Sequence, residues 1–213
     1  DKNRIVFSSE SRAINLLFNN ELEINKSALH SFFSLGFITA EESILQGIKK
    51  LKPGTITKVN IDNNKIKTEE YWNLEDYLGN ENLNKKNIKE LENLVINAIE
   101  YRQISDVKVG SFLSGGLDSS YVTKIMEENS ASDKLNSFTV GFEEKFDEAP
   151  HAQKVANYIG TKHNTYYIKP NDVKKIIENY PFYFDEPFSD DAVIPMLYLS
   201  EVSKEKVKVV VSS

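Results

Sequence analysis

Residues 112–120 read Phe-Leu-Ser-Gly-Gly-Leu-Asp-Ser-Ser, a set of types suited to holding a phosphate. Gly115 and Gly116 are adjacent and let the backbone come close to an anion, while Ser114, Ser119 or Ser120 bring hydroxyl donors. A helix starting here adds its free N–H groups. Asp118 is the discordant member, because a carboxylate repels a polyphosphate unless a cation intervenes. Mg²⁺ is the consistent choice, since it commonly takes one or two carboxylates together with substrate phosphates. The simpler reading is a Gly-Gly turn in which Asp118 or Ser119 caps an ordinary helix. Two better-known phosphate motifs fail. Gly110 and Gly115 have the spacing of a Walker A loop, but Gly116 stands where its lysine belongs, and the dinucleotide pattern G-x-G-x-x-G is absent. The nucleophile elbow G-x-S-x-G fails because Phe112 precedes Ser114 by two positions.

To position such a loop the chain must supply a strand before it and a helix after it. Val107–Leu113 is the strand, with Val107, Val109, Ser111 and Leu113 on one face, and Ser119–Glu128 is the helix. The alternation begins at Ile88, where Leu91, Leu94, Val95, Ala98 and Ile99 have helical spacing. It continues with strand Asn136–Phe142, helix Ala149–Ile159 closed by Gly160, strand His163–Ile168, helices Asp172–Tyr180 and Val193–Lys204, and strand Val207–Val211. This order predicts an α/β fold, a mostly parallel sheet covered on both faces by helices.

The first third has a different grammar. Arg4–Ser8 reads as a strand, Ser11–Phe18 and Lys26–Leu35 as short helices, and Thr55–Ile61 with Ile66–Trp72 as a hairpin turning at Asn63-Asn64. Tyr71 and Trp72 at its end are expected in the core or in domain packing. The polar stretch around Gly79 reads as a linker, placing domain boundaries at 1–76, 77–87 and 88–213. The run Asn80–Lys86 within it reads as solvated rather than as an interaction site.

Composition excludes several classes. The 213 residues carry 26 basic and 32 acidic side chains, a net charge of -6, which does not give the basic footprint of a duplex nucleic-acid binder. No stretch approaches the roughly 18 consecutive apolar residues of a membrane helix, and Asp1–Phe7 resembles neither a signal nor a transit peptide. A cytoplasmic protein without membrane or nucleic-acid partners is expected. The absence of cysteine removes disulfides, thiolate metal sites and a cysteine nucleophile from these residues. A start at Asp1 and an end two serines after Val211 read as a polypeptide entered and left in mid-course.

Ser114-Gly-Gly-Leu-Asp-Ser119 resembles the pyrophosphate loop S-G-G-x-D-S of the ATP pyrophosphatase superfamily. With Phe112-Leu113 before it and Ser120 after it, the segment resembles the glutamine-dependent asparagine synthetases. Ser105-Asp106-Val107, Phe138–Phe142, Asp147-Glu148, Gly160-Thr-Lys-His163, Asp185-Glu-Pro-Phe188, Asp190 and Val207–Ser212 follow in that family's order, and Phe7–Glu10, Gly47–Gly54 and Tyr71-Trp72 are similar to the last third of its glutaminase domain.

The resemblance implies an adenine nucleotide alpha hydrolase-like parallel-sheet domain preceded by the α+β C-terminal part of an N-terminal-nucleophile glutamine amidotransferase domain. It implies an ATP-dependent carbon–nitrogen ligase that adenylates aspartate to β-aspartyl-AMP and forms asparagine with glutamine or ammonia as donor. ATP and Mg²⁺ are the cofactors it implies, and a homodimer is compatible with it. By the same resemblance Leu113, Ser114, Gly115, Gly116, Asp118, Ser119, Val140 and Ser212 contact the nucleotide, Asp118 through the metal, although Ser213 stands where glycine is usual. Relatives with this loop act on cell-surface sugar or peptidoglycan precursors or form β-lactams, and a non-catalytic nucleotide binder is a further alternative. The chain alone is expected to show no glutaminase activity and at most residual ATP binding. Asp185, Glu186, Asp190 and Asp191 are either substrate-side or metal-side groups or complements to the dipole of the helix at Val193. His30, His151 and His163 lack metal-ligand spacing and read as structural or surface residues.

Overall fold

The computed structural model describes residues 5–78, 85–130, 133–142 and 147–212. They group into two compact units, residues 1–81 with 179–190 and residues 82–178 with 191–213.

The first unit contains α1 (Ser11–Leu17), α2 (Lys26–Leu35) and an antiparallel hairpin of β1 (Thr55–Val59) and β2 (Ile66–Glu70). Asn25 caps α2 by accepting from the N–H groups of Ser27 and Ala28. The hairpin pairs Val59 with Ile66, so residues 60–65 form a wider loop than an Asn-Asn turn. Asn60 Oδ1 organises it by accepting from the N–H groups of Asp62 and Asn63, and of the two expected turn residues Asn64 takes a positive φ of 54°. The expected strand at Arg4–Ser8 does not form over Ile5–Ser8: no strand among the described residues lies beside them to satisfy their backbone. Arg4 is outside the described residues. Tyr71 and Trp72 are not core residues; Trp72 is 47% exposed and stacks on Tyr77, 6.0 Å between ring centroids, within a short 3-10 turn at Leu74–Tyr77.

The second unit opens with α3 (Lys85–Gln103), three residues earlier than the periodicity from Ile88 predicts. Of the expected linker and polar run, residues 79–84 lie outside the described residues. Then follow β3 (Val109–Phe112), α4 (Leu117–Glu128), β4 (Asn136–Gly141), α5 (Ala149–Ile159), β5 (Lys162–Tyr167), α6 (Pro170–Tyr183), α7 (Val193–Ser203) and β6 (Val209–Val211). The last residues of α6 count with the first unit. All sheet pairings in this unit are parallel, in the order β5-β4-β3-β6. The chain therefore steps outward from β3 to β5 and returns to β3's other side with β6, and such a reversal opens a crevice at the C-terminal ends of the strands.

Strand alternation decides what each face buries. Phe112, Phe138, Val140, Tyr166 and Val210 pack with Leu199 and Val202 of α7 and with buried Val207. On the other face Leu113 meets Ala152, Val155 and Ala156 of α5, a small-residue stripe that lets the helix lie close to the sheet. Val109 and Val211 pack there with Ile125 and Met126 of α4 and Ile99 of α3. The helix expected at Asp172–Tyr180 continues through Pro181, where Tyr180 and Phe184 stack with centroids 4.8 Å apart. No helix among the described residues is long and apolar enough to cross a membrane.

Candidate functional site

The loop at 114–116 begins where β3 runs out of partners. The Leu113 N–H donates to the Phe138 carbonyl at 2.8 Å, and the chain then leaves the sheet. Gly115 makes the bend at φ +86°, a left-handed conformation that side chains resist, and an added Cβ would sit 2.7 Å from His151 Cδ2. Gly116 is the extended N-cap of α4, and the first intrahelical bond runs from the Ser120 N–H to its carbonyl at 3.0 Å. The N–H groups of Leu117, Asp118 and Ser119 are left without an intrahelical acceptor.

Hydroxyls tie the bend together. Ser114 Oγ and Ser119 Oγ lie 2.9 Å apart, the Gly116 N–H donates to Ser114 Oγ at 3.2 Å, and the Ser114 N–H reaches Ser119 Oγ at 3.3 Å. Ser119 is 7% exposed. Ser120, the other serine considered for this role, has a buried Oγ with no partner among the described residues. Asp118 is exposed on the first turn of α4, where a carboxylate also complements the helix dipole.

A cavity of about 580 Å³ lies at the C-terminal ends of the strands. Leu113, Ser114 and Ser119 line it from the β3–α4 junction, Phe138, Thr139 and Val140 from β4, Phe142 from just beyond β4, and Ser212 from just beyond β6. Of the residues expected at the site, Leu113, Ser114, Ser119, Val140 and Ser212 therefore share one cavity. Gly115, Gly116 and Asp118 belong to the adjoining loop and helix turn and are not among the lining residues.

The walls also contain residues that were not among the expected nucleotide contacts. Glu148, just before α5, and Asp191, Ala192, Pro195, Met196 and Leu199, from and just ahead of α7, close the remaining sides. Their sequence signal was weak: Asp191 stood among four acidic residues with two open readings, and nothing local tells that α7 crosses back over β4. Asp185 and Glu186 go elsewhere. Asp185 accepts from the backbone and hydroxyl of Ser11, while Glu186 accepts from the Ile44 N–H at 3.0 Å and pairs with Lys50 at 2.8 Å, all within the first unit.

Among the described residues the cavity walls hold two carboxylates, Glu148 and Asp191, and no lysine or arginine. A polyphosphate here needs a cation to offset that charge. Among the described residues no group of three His, Cys, Asp or Glu could hold a metal by itself. One carboxylate together with phosphate oxygens and water is instead the donor set that suits Mg²⁺, and Asp118 beside the loop is such a carboxylate.

His163 is structural as expected: its Nδ1 lies 2.8 Å from the Oγ of fully buried Ser137, and burial pushes its imidazole below the ordinary range. His151 is at the surface, as expected, and also makes a structural contact. Its Nε2 lies 3.1 Å from the Gly115 carbonyl, inside the loop.

Two family matches divide the chain: residues 90–213 match asparagine synthase and residues 1–72 match the glutamine amidotransferase domain. A Methanocaldococcus jannaschii protein, provisionally named glutamine-hydrolysing asparagine synthetase 2, is 39% identical over the whole chain, which covers 41% of that protein. Glutamine-hydrolysing asparagine synthetase 1 of Bacillus subtilis is 30% identical over 98% of the chain and 32% of its own length. The chain thus spans less than half the length of these relatives. A solved ammonia-dependent NAD synthetase from Campylobacter jejuni superposes with a TM-score of 0.39 at 13% identity, over 57% of this chain and 54% of its own.

Proposed function

The chain belongs to the asparagine synthase family, and from that premise we propose that it carries the nucleotide-binding part of an ATP-dependent, glutamine-hydrolysing asparagine synthetase. Residues 1–76 are then the C-terminal part of the glutaminase domain, 77–87 the linker, and 88–213 the N-terminal part of the synthetase domain. The observation that carries the reading is the hydroxyl-laced loop Ser114–Ser119 opening onto a cavity that Leu113, Val140 and Ser212 also line.

In the proposed reaction the side-chain carboxylate of aspartate attacks the α-phosphorus of ATP. A carboxylate oxygen–phosphorus bond forms, the α–β phosphoanhydride breaks, and pyrophosphate leaves. Ammonia, supplied directly or from glutamine, then attacks the acyl carbon of β-aspartyl-AMP and expels AMP, giving asparagine.

Negative charge grows on the departing pyrophosphate, so fixed donors aimed there lower the barrier. Ser114 and Ser119 offer hydroxyls, and Leu117, Asp118 and Ser119 offer N–H groups that no residue of the helix accepts. The apolar walls from Leu113, Phe138 and Val140 suit a flat purine. Asp118 would hold Mg²⁺, which supplies charge neutralisation to the phosphates when bound.

The whole protein should release pyrophosphate when given ATP, Mg²⁺, ammonia and aspartate. Asp118→Asn should lower that rate by on the order of 100-fold. Turnover with another carboxylic acid but not aspartate would move the acceptor to a different substrate class. No turnover with any acid would reduce the reading to nucleotide binding.

A further inference from the structure

Resting on that reading of the loop, we propose that His151 is a positioning residue that locks the Gly115–Gly116 peptide in its anion-accepting orientation. A carbonyl oxygen can only accept, so the 3.1 Å contact with Gly115 requires Nε2 to carry the proton and donate it. The C=O of Gly115 and the N–H of Gly116 belong to one planar trans peptide and point in opposite directions. Holding the carbonyl toward α5 therefore turns the Gly116 N–H inward, where it rests on Ser114 Oγ at 3.2 Å. A flipped peptide would present a carbonyl oxygen to the phosphate and repel it.

The contact is also steric. A Cβ on Gly115 would come within 2.7 Å of His151 Cδ2 and 3.1 Å of the Ala152 nitrogen, so the bend is seated directly against the first turn of α5. That turn is itself anchored to the end of β4: Asp147 Oδ1 accepts from the Ala149 N–H at 3.0 Å and from the Phe142 N–H at 3.2 Å. Phe142 lines the cavity. His151 thus joins the phosphate loop after β3 to the cavity wall at β4. Because the residue is exposed, packing in the core does not account for its placement.

The test compares wild type, His151→Ala, His151→Phe and His151→Gln in the whole protein. MgATP affinity is read by calorimetry, amide hydrogen exchange of the 113–118 segment is read without nucleotide, and thermal melting controls for folding. Losing one hydrogen bond should weaken MgATP binding about five- to tenfold in the Ala and Phe variants. Their loop amides should exchange faster, with melting close to wild type. Gln keeps a donor and should restore both affinity and protection. Wild-type affinity and protection in His151→Phe, or failure of Gln to rescue, would overturn the proposal. Absence of MgATP binding by the wild type would instead sink the nucleotide reading, while the exchange pattern still judges the role of His151.

Discussion

Gly115 and Gly116 are neighbours in the same loop, yet they tolerate a methyl group very differently. Gly115 sits at φ +86° with the His151 ring and the Ala152 backbone against it, whereas a Cβ on Gly116, at φ -63°, meets Ser114 Oγ at 3.3 Å and little else. An L-residue in the left-handed region costs about 1–2 kcal/mol before any collision is counted. Gly115→Ala should therefore lower stability by about 2 kcal/mol or more, and Gly116→Ala by less than about 1 kcal/mol. Chemical denaturation of the two variants side by side measures the gap, and equal losses would mean that the loop is not held as described. That the loop needs glycine is legible in the sequence, because two glycines between a strand and a helix announce a bend. Which of them bends, and that a histidine closes behind it, depends on α5 arriving from elsewhere in the chain.

Beneath α4 and α5 small polar side chains are interleaved with the aliphatic Val109, Leu113 and Val211 of the sheet. Ser111, Thr123 and Ser137 are fully buried, Ser111 Oγ lies 2.7 Å from Thr123 Oγ1, and Ser137 Oγ lies 2.7 Å from Thr161 Oγ1. His163 on β5 joins this layer through Nδ1, while its buried Nε2 has no partner among the described residues. Burial disfavours the charged imidazolium, so the folded pKa lies below the unfolded value of about 6.5. Between those two values the unfolded chain binds more protons than the folded one. Stability is thus fully present above about pH 6.5 and is lost as pH falls through that value toward the folded pKa. His163→Asn, which does not titrate, should flatten the stability curve between about pH 7 and 5. An unchanged slope in denaturation series at these pH values would assign the acid sensitivity to other groups. Sequence periodicity located β3, β4 and α5 closely, since their apolar residues repeat at strand and helix spacing. It placed Ser111 on the face of Val109 and Leu113 but gave no sign of its partner Thr123 or of the Ser137–Thr161 pair, because serine and threonine are equally at home on a solvated face.

The two units differ in how much apolar surface they bury. Of the buried hydrophobic residues, Ala28 and Ile38 belong to the first unit, whereas Leu113, Met126, Phe138, Leu199 and most others belong to the second. The first unit instead exposes Phe7, Phe33 and Ile61, at 89%, 77% and 91%. Local opening costs least where few apolar contacts must be broken. In native-state hydrogen exchange on this 213-residue chain, amides of β3 and β4 should be the slowest, and those of α1 and α2 at least about 100-fold faster. Uniform protection across both units would contradict that ordering.

By itself the sequence determined the strand–loop–helix at 109–128, the serines, glycines and aspartate of the loop, and the change from a hairpin-bearing segment to alternating strands and helices. These are local properties: backbone conformational freedom, capping chemistry and hydrophobic period are all written within a few neighbouring residues. Tertiary structure alone decided that β6 returns beside β3, bringing Ser212 to the cavity shared by Leu113 and Val140. It also decided that α7 supplies a wall, that Asp185 and Glu186 are spent on Ser11, Ile44 and Lys50, and that His151 stands behind the loop. Those outcomes rest on which helix packs on which strand, and that choice is settled by the burial of distant apolar faces against one another.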